Sequence, residues 1–173
     1  MYSHTFDNID KDNVCGIIMA TSTTTTAMKE LARLLPKTEL HLHLDGSLSP
    51  EFIFKRAKIR GIELKVEKCE DLRPYLQRKK IEQIKNGNKQ EVKGNWNIFD
   101  FCNNFLQTRE ELTDATADIL LRCSKENVKV CEIRFCPTLH TLEGLSEKDA
   151  IKSVINGYTK AQEQVDIEGG VIV

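Results

Sequence analysis

The sequence of 173 residues lacks the features that mark membrane and secreted proteins. No apolar run approaches the roughly 18 residues that a bilayer-spanning helix needs. The short apolar stretch at 14–20 follows an acidic leader, whereas a signal peptide begins with a basic one. A net charge of −1 gives no general attraction to nucleic acid or to anionic membranes. We therefore expect a cytoplasmic protein with no nucleic-acid or membrane partner.

The sequence also has no Cys-x-x-Cys pair. Its six cysteines lie far apart, at positions 15, 69, 102, 123, 131 and 136. This spacing argues against a Cys-based zinc site, and a reducing compartment disfavours disulfides. Several of the cysteines fall within apolar patterns, where a free thiol behaves as a small hydrophobic group. We interpret most of them as structural.

Residues 1–27 contain little that could form a core. They are mostly polar and include the low-complexity tract TSTTTT at 21–26. Such a segment buries too little apolar surface to offset the loss of chain entropy on folding. The pattern predicts a disordered extension over 1–27 and a folded domain over 28–173. Met1, Met19 and Met28 are all possible start residues.

Strand-like and helix-like segments alternate through the folded part. Helix-start signals occur at Ser49-Pro50-Glu51, at Thr108 with Glu111, and at Ser146. Segments typical of strands lie at 39–45, at 128–137, where Pro137 ends the strand, and at 169–173. Strands that alternate with helices predict an α/β fold with a parallel sheet.

A basic stretch covers residues 65–93, where nine Lys or Arg residues face five Asp or Glu residues. Few apolar residues lie in this stretch, and almost no aromatic side chains are interleaved for stacking on bases. We interpret it as a solvated insertion between elements rather than as a nucleic-acid interface.

The sequence ELHLHLDG at 39–46 is the most informative motif. On a β-strand, successive side chains point to opposite faces, so His41, His43 and Asp45 are expected to share one face. Two histidines about 7 Å apart along the backbone can converge on one metal ion. An isolated His-x-His pair is often incidental, so its context decides the interpretation. The opposite face is expected to carry Leu40, Leu42 and Leu44.

The segment PKTELHLHLDGS at 36–47 closely resembles the opening signature of the adenosine deaminase family. That family belongs to the metal-dependent hydrolases built on a (β/α)8 barrel. The segment CEIRFCP at 131–137 is similar to the second strand of the family. In all, the resemblance covers roughly residues 34–173. It implies a partial (β/α)8 TIM barrel that comprises the first two to three β-α units.

The resemblance also implies roles for individual residues. His41 and His43 would be ligands of Zn2+, with one ion per full-length chain. Asp45 would accept a hydrogen bond from the ribose 5′-hydroxyl, and His43 would also lie against the bound nucleoside. An apolar wall that keeps water off the purine would be formed by Ile98, Phe101 and Phe105.

The family's remaining catalytic groups have no counterpart in this sequence. In the family, later strands supply a third histidine, an aspartate ligand, a further histidine and a general-acid glutamate. The sequence has only two other histidines, His4 and His140. Neither lies near a His-Ala-Gly-Glu motif, which carries the general-acid glutamate in the family. We interpret His140 as a surface loop residue. The general acid and base are thus expected beyond residue 173, and the chain by itself is expected to be inactive.

The implied activity is zinc-dependent hydrolytic deamination of adenosine or deoxyadenosine to inosine and ammonia. The H-x-E and P-C-x-x-C pattern of the other zinc deaminases is absent, which excludes the cytidine-deaminase fold. One alternative is a fragment that acts as a binding or regulatory module. Another is a deaminase for a different purine nucleoside or a nucleotide, although a carboxylate at Asp45 would repel a 5′-phosphate.

Overall fold

The computed structural model describes residues 25–74 and 98–173. The chain divides into two compact units, 1–36 and 37–173. The described part of the first unit is a helical segment at 25–34, so most of the predicted extension lies outside the described residues. Much of the predicted basic insertion, at 75–93, lies outside them as well. No helix in the two described ranges combines the length and apolar character needed to cross a bilayer.

Three strands alternate with helices along the second unit. The elements are β1 (Lys37–His43), α1 (Pro50–Arg60), α2 (Arg109–Lys125), β2 (Val128–Arg134), α3 (Glu147–Gln162) and β3 (Glu168–Ile172). A short 3-10 helix, Pro137–His140, follows β2. The sheet order is β1-β2-β3 and both pairings are parallel. This architecture confirms the predicted α/β fold with a parallel sheet.

The helices begin where the sequence carries capping residues. The Ser49 hydroxyl accepts a hydrogen bond from the Phe52 backbone N–H at 3.1 Å, which caps α1. The predicted capping box at the start of α2 is confirmed. There, the Thr108 hydroxyl accepts from the Glu111 N–H at 3.2 Å and the Glu111 carboxylate accepts from the Thr108 N–H at 3.1 Å. These caps fix where each helix starts relative to the strand ends.

The core lies between the sheet and the helices that cover it. Its fully or almost fully buried side chains include Leu112, Ile119, Leu120, Cys131, Ile133 and Val154. On β2, alternate residues enter this core, and Glu132 and Arg134 point to the opposite side of the sheet. Glu132 and Arg134 therefore lie on the face of β2 that points away from this core.

Strand β1 contains an irregularity that the sequence pattern does not show. Glu39 pairs with Cys131 and Leu42 pairs with Ile133, so three steps along β1 match two steps along β2. An extra residue of this kind is a β-bulge, which breaks strict alternation and redirects side chains. Leu40 is consequently 53 % exposed and does not join the buried apolar face that alternation assigned to it.

Strand β3 approaches β2 so closely at Gly169 that a side chain does not fit. An added Cβ would lie 1.9 Å from the Cys131 carbonyl oxygen and 2.6 Å from the Tyr158 hydroxyl. The Tyr158 hydroxyl lies 2.7 and 2.8 Å from the carbonyl oxygens of Cys131 and Glu168, which share its single hydrogen. Gly169 also has a φ of +134°, which side-chain-bearing residues rarely adopt.

We expect Gly169→Ala to lower the free energy of unfolding by about 2–4 kcal/mol, because it adds both a clash and backbone strain. The adjacent Gly170→Ala is a matched control, since nothing lies within 4 Å of its Cβ position. Urea unfolding of both variants, followed by circular dichroism, measures the difference. Equal stability of the two variants would contradict the close packing of β3 against β2.

Candidate metal and ligand site

An open cavity of about 610 Å³ lies at the carboxyl ends of the strands, and the helical segment at 98–103 contributes part of its lining. In parallel α/β barrels this end of the strands carries the chemistry. The apolar part of its lining includes Phe99, Phe135, Leu139 and Ile172. The polar part includes His43, Asp45, Asn103 and Arg134. The cavity thus combines an apolar wall with a small convergent set of polar groups, as ligand sites do.

The structure brings His41 and His43 together at the end of β1. Their Nε2 atoms are 3.4 Å apart and their ring centroids are 5.3 Å apart. Two nitrogen ligands of a tetrahedral zinc ion are separated by roughly 3.3–3.4 Å, because each Zn–N distance is about 2.0–2.1 Å. The two imidazoles therefore fit two corners of a zinc coordination tetrahedron.

Two histidines do not by themselves make a complete metal site. The described residues hold no group of three or more His, Cys, Asp or Glu side chains placed to bind one ion. A catalytic zinc ion normally has three protein ligands and one open position. Any zinc ion held by His41 and His43 would therefore need further ligands from outside the described residues.

Arg134 borders the histidine pair from the neighbouring strand. It pairs with His43 in the β1–β2 register, and its Nη1 atom lies 3.4 Å from Nε2 of His41. Arg134 also lines the cavity, and its buried Nε has no hydrogen-bond partner within the described residues.

Asp45 follows β1 in the turn at 44–46 and lines the same cavity as His43. It is only 9 % exposed, and its Oδ1 has no hydrogen-bond partner among the described residues. The Asp45 charge also affects the pKa of a nearby thiol. Burial raises the pKa of the Cys102 thiol to about 12, and the Asp45 carboxylate adds to that rise. Burying a carboxylate oxygen without a hydrogen-bond partner lowers the stability of the fold, and a donor on a bound ligand would remove this cost.

His140 is not a surface loop residue, and that prediction is wrong. Its side chain is fully buried, with its ring centroid 5.6 Å from that of Phe135. The burial lowers the pKa of the His140 imidazole, which favours its neutral form, and the nearby Asp45 carboxylate partly offsets this. The loop is held inward because the Gln107 side chain donates to the Leu139 carbonyl oxygen at 2.9 Å.

The residues predicted to form the apolar wall take different places. Phe105 is fully buried in the core, with its ring centroid 5.3 Å from that of Phe101. Neither of these rings, nor Ile98, is part of the cavity lining. The neighbouring Phe99 lines it instead, with its ring centroid 6.5 Å from that of His43.

Phe99 also packs on the turn that carries Asp45. A Cβ added to Gly46 would lie 3.0 Å from the Phe99 ring. The sequence reasoning missed Phe99 because helical spacing alone favours positions 98, 101 and 105. The DG dipeptide at 45–46 is a turn signal that permits such a close approach, but it does not reveal which ring approaches.

A parallel α/β sheet with polar side chains and a cavity at the carboxyl ends of its strands is typical of enzymes of the (β/α)8 barrel class. The sequence model described as Adenosine deaminase matches residues 36–173. The chain therefore belongs to the adenosine deaminase family, as the sequence motifs predict.

Three similar proteins illustrate the relationship. Adenosine deaminase of Clostridium perfringens is 38 % identical over 139 residues, which cover 80 % of this chain and 40 % of that protein. The crystal structure of adenine deaminase from Arthrobacter aurescens has a TM-score of 0.61 and 30 % identity, covering 79 % of this chain and 38 % of that one. The crystal structure of an amidohydrolase from Burkholderia ambifaria with bound zinc has a TM-score of 0.63 and 21 % identity. The match covers 83 % of this chain and 36 % of that one.

The similar structures confirm the prediction that this chain forms the first part of a TIM barrel. The chain spans about 40 % of the length of the relatives it matches. Its three strands and the helices between them correspond to the first units of the barrel.

Proposed function

We propose that the full-length protein deaminates adenosine or deoxyadenosine to inosine and ammonia by zinc-dependent hydrolysis. The observation that carries this proposal is the convergence of His41 and His43 at the end of β1, where His43 lines the same cavity as Asp45, whose buried Oδ1 has no hydrogen-bond partner among the described residues. The similarity to the Clostridium perfringens adenosine deaminase supports it. Within the full-length protein, this chain supplies two metal ligands and part of the nucleoside site. The general acid and base are supplied by later strands.

The residues present fit a zinc ion. His41 and His43 would hold it through their Nε2 atoms, which have the separation that tetrahedral coordination requires. Bound zinc would lower the pKa of a water molecule towards 7, which provides a nucleophile at neutral pH. The zinc in the Burkholderia ambifaria structure supports the choice of metal.

The other residues of the cavity bind and orient the substrate. Asp45 is expected to accept a hydrogen bond from a sugar hydroxyl, because it lines the cavity and its buried Oδ1 has no partner among the described residues. Phe99 and Phe135 provide apolar surface beside a planar purine and exclude water from it. His43 contributes to this surface with the face of its ring.

Two alternative substrates are adenine and a purine nucleotide. The Arthrobacter aurescens relative is an adenine deaminase, and adenine has no sugar for Asp45 to bind. A nucleotide would bring a 5′-phosphate towards the Asp45 carboxylate, and the two negative charges would repel each other. The buried, unpartnered Asp45 therefore favours a nucleoside over either alternative.

The proposal is tested by steady-state kinetics of the full-length protein with zinc. We expect product release from adenosine and 2′-deoxyadenosine, with kcat/KM at least about tenfold lower for adenine and for AMP, because a hydrogen bond to a charged group contributes about 1.5–3 kcal/mol. Equal or better turnover of adenine or AMP would contradict the assignment of a nucleoside substrate.

The 173-residue chain alone is expected to be inactive. Two imidazoles bind zinc weakly, and the later ligands and proton-transfer groups are not among its described residues. Inosine release from adenosine is measured by absorbance with added zinc, using the full-length protein as the positive control. Turnover above background would contradict this expectation.

A non-catalytic role of the chain as a binding or regulatory module is a separate possibility. A three-stranded parallel sheet has unpaired edges, and Leu139 and Ile172 beside the cavity are 39 % and 38 % exposed. A module of this kind would therefore need a partner chain to remain stable.

A further inference from the structure

A second unpartnered acceptor lies in the cavity beside Asp45. Asn103 is only 7 % exposed, and its Oδ1 is buried without a hydrogen-bond partner among the described residues. The residue is also part of the cavity lining. Buried polar atoms in folded proteins are nearly always paired, so an orphaned amide oxygen at a ligand cavity points to a donor on the ligand.

The backbone of Asn103 is held firmly in place. Its carbonyl oxygen accepts a hydrogen bond from the Gln107 side-chain amide at 2.9 Å and another from the Leu106 N–H at 3.1 Å. The same Gln107 amide also donates to the Leu139 carbonyl oxygen at 2.9 Å. Gln107 is 3 % exposed, so these bonds form a buried link between the segment that carries Asn103 and the loop after β2. The backbone at Asn103 is therefore held in place beside the cavity.

The neighbouring asparagine shows what a structural role looks like here. The side-chain amide of Asn104 donates to the carbonyl oxygens of Asp100 and Phe101, at 3.0 and 3.3 Å. Asn104 is exposed and is not part of the cavity lining. The side-chain amide of Asn104 therefore forms hydrogen bonds with the local backbone. The side-chain oxygen of Asn103, in contrast, has no partner among the described residues.

We propose that Asn103 is a further substrate-positioning residue, whose amide oxygen accepts a hydrogen bond from the 3′-hydroxyl of the nucleoside. The inference rests on the proposed function. A hydroxyl group donates only one hydrogen, so the two acceptors, Asp45 and Asn103, need two donors. If the Asp45 carboxylate accepts from the 5′-hydroxyl, the nearest remaining hydroxyl along the sugar is on C3′, the ring carbon next to the one that bears the 5′ group.

The test compares adenosine with 3′-deoxyadenosine as substrates of the full-length protein. We expect the native enzyme to prefer adenosine by about tenfold in kcat/KM, the range of one buried hydrogen bond. In Asn103→Leu, which keeps the volume but removes the acceptor, the preference should fall to about one, mainly through a higher KM for adenosine. The matched control Asn104→Ala should keep the native preference.

The outcomes separate this inference from the proposed function. A native enzyme that does not deaminate adenosine contradicts the proposed function. A native enzyme that deaminates adenosine without preferring it to 3′-deoxyadenosine overturns the role of Asn103, as does an undiminished preference in Asn103→Leu. If the leucine variant does not fold, Asn103→Ala gives the same readout, because a loss of packing alone lowers kcat/KM for both substrates equally.

Discussion

Replacing His43 with alanine in the full-length protein should abolish zinc binding and lower kcat by more than about a thousandfold. The Nε2 atom of His43 lies 3.4 Å from that of His41, so removing one imidazole leaves no convergent pair. Metal catalysis contributes several kcal/mol to a hydrolytic step, and each 1.36 kcal/mol corresponds to a factor of ten in rate. Zinc content by mass spectrometry and inosine release by absorbance are measured on the same preparation.

The control for this substitution is Thr38→Ala, an exposed position on the same strand. It should retain one zinc ion per chain and full activity. If His43→Ala kept its zinc and its kcat, the histidine pair would not be the metal half-site.

Replacing Asp45 with alanine should raise the KM for adenosine by about 10- to 100-fold and leave the zinc content unchanged. Asp45 is 9 % exposed and lines the cavity, and its buried Oδ1 has no partner in the described part of the chain. A hydrogen bond to a charged group contributes about 1.5–3 kcal/mol, which gives this range of KM. Steady-state kinetics with adenosine and 5′-deoxyadenosine measure the effect.

The two substrates identify the cause of the loss. The substitution should have little effect on 5′-deoxyadenosine, which lacks the hydroxyl that Asp45 is proposed to bind. Asp100→Ala is the matched control, because Asp100 also lines the cavity but is exposed to solvent. It should change KM by less than about threefold, since exposed charges contribute little. An equal loss for both substrates in Asp45→Ala, or a loss of zinc, would contradict the assigned role.

The alternation of residue types in ELHLHLDG was enough to predict a strand with two histidines at its carboxyl end. Local rules also predicted the capping box at Thr108 and Glu111, since capping depends on residues only three positions apart. The bulge in β1 could not be read from the same pattern. It is defined by the pairing of Glu39 and Leu42 with residues of β2, more than 90 positions further along the chain.

The burial of His140 and the position of Asn103 depend on contacts that no local pattern shows. The Gln107 side chain links the two segments, because its amide donates to the carbonyl oxygens of Asn103 and Leu139. A histidine three residues after a proline in a polar loop looks exposed, because loops usually lie at the surface. Only the tertiary hydrogen bonds of Gln107 show that this loop folds inward.

The most direct test of the central claim is anomalous X-ray scattering at the zinc edge from crystals of the full-length protein. The structure predicts one peak about 2.0–2.1 Å from the Nε2 atoms of both His41 and His43. Further ligands contributed by later strands should complete the coordination. A zinc peak elsewhere in the protein, with none at the two histidines, would contradict the claim that this chain carries half of the catalytic metal site.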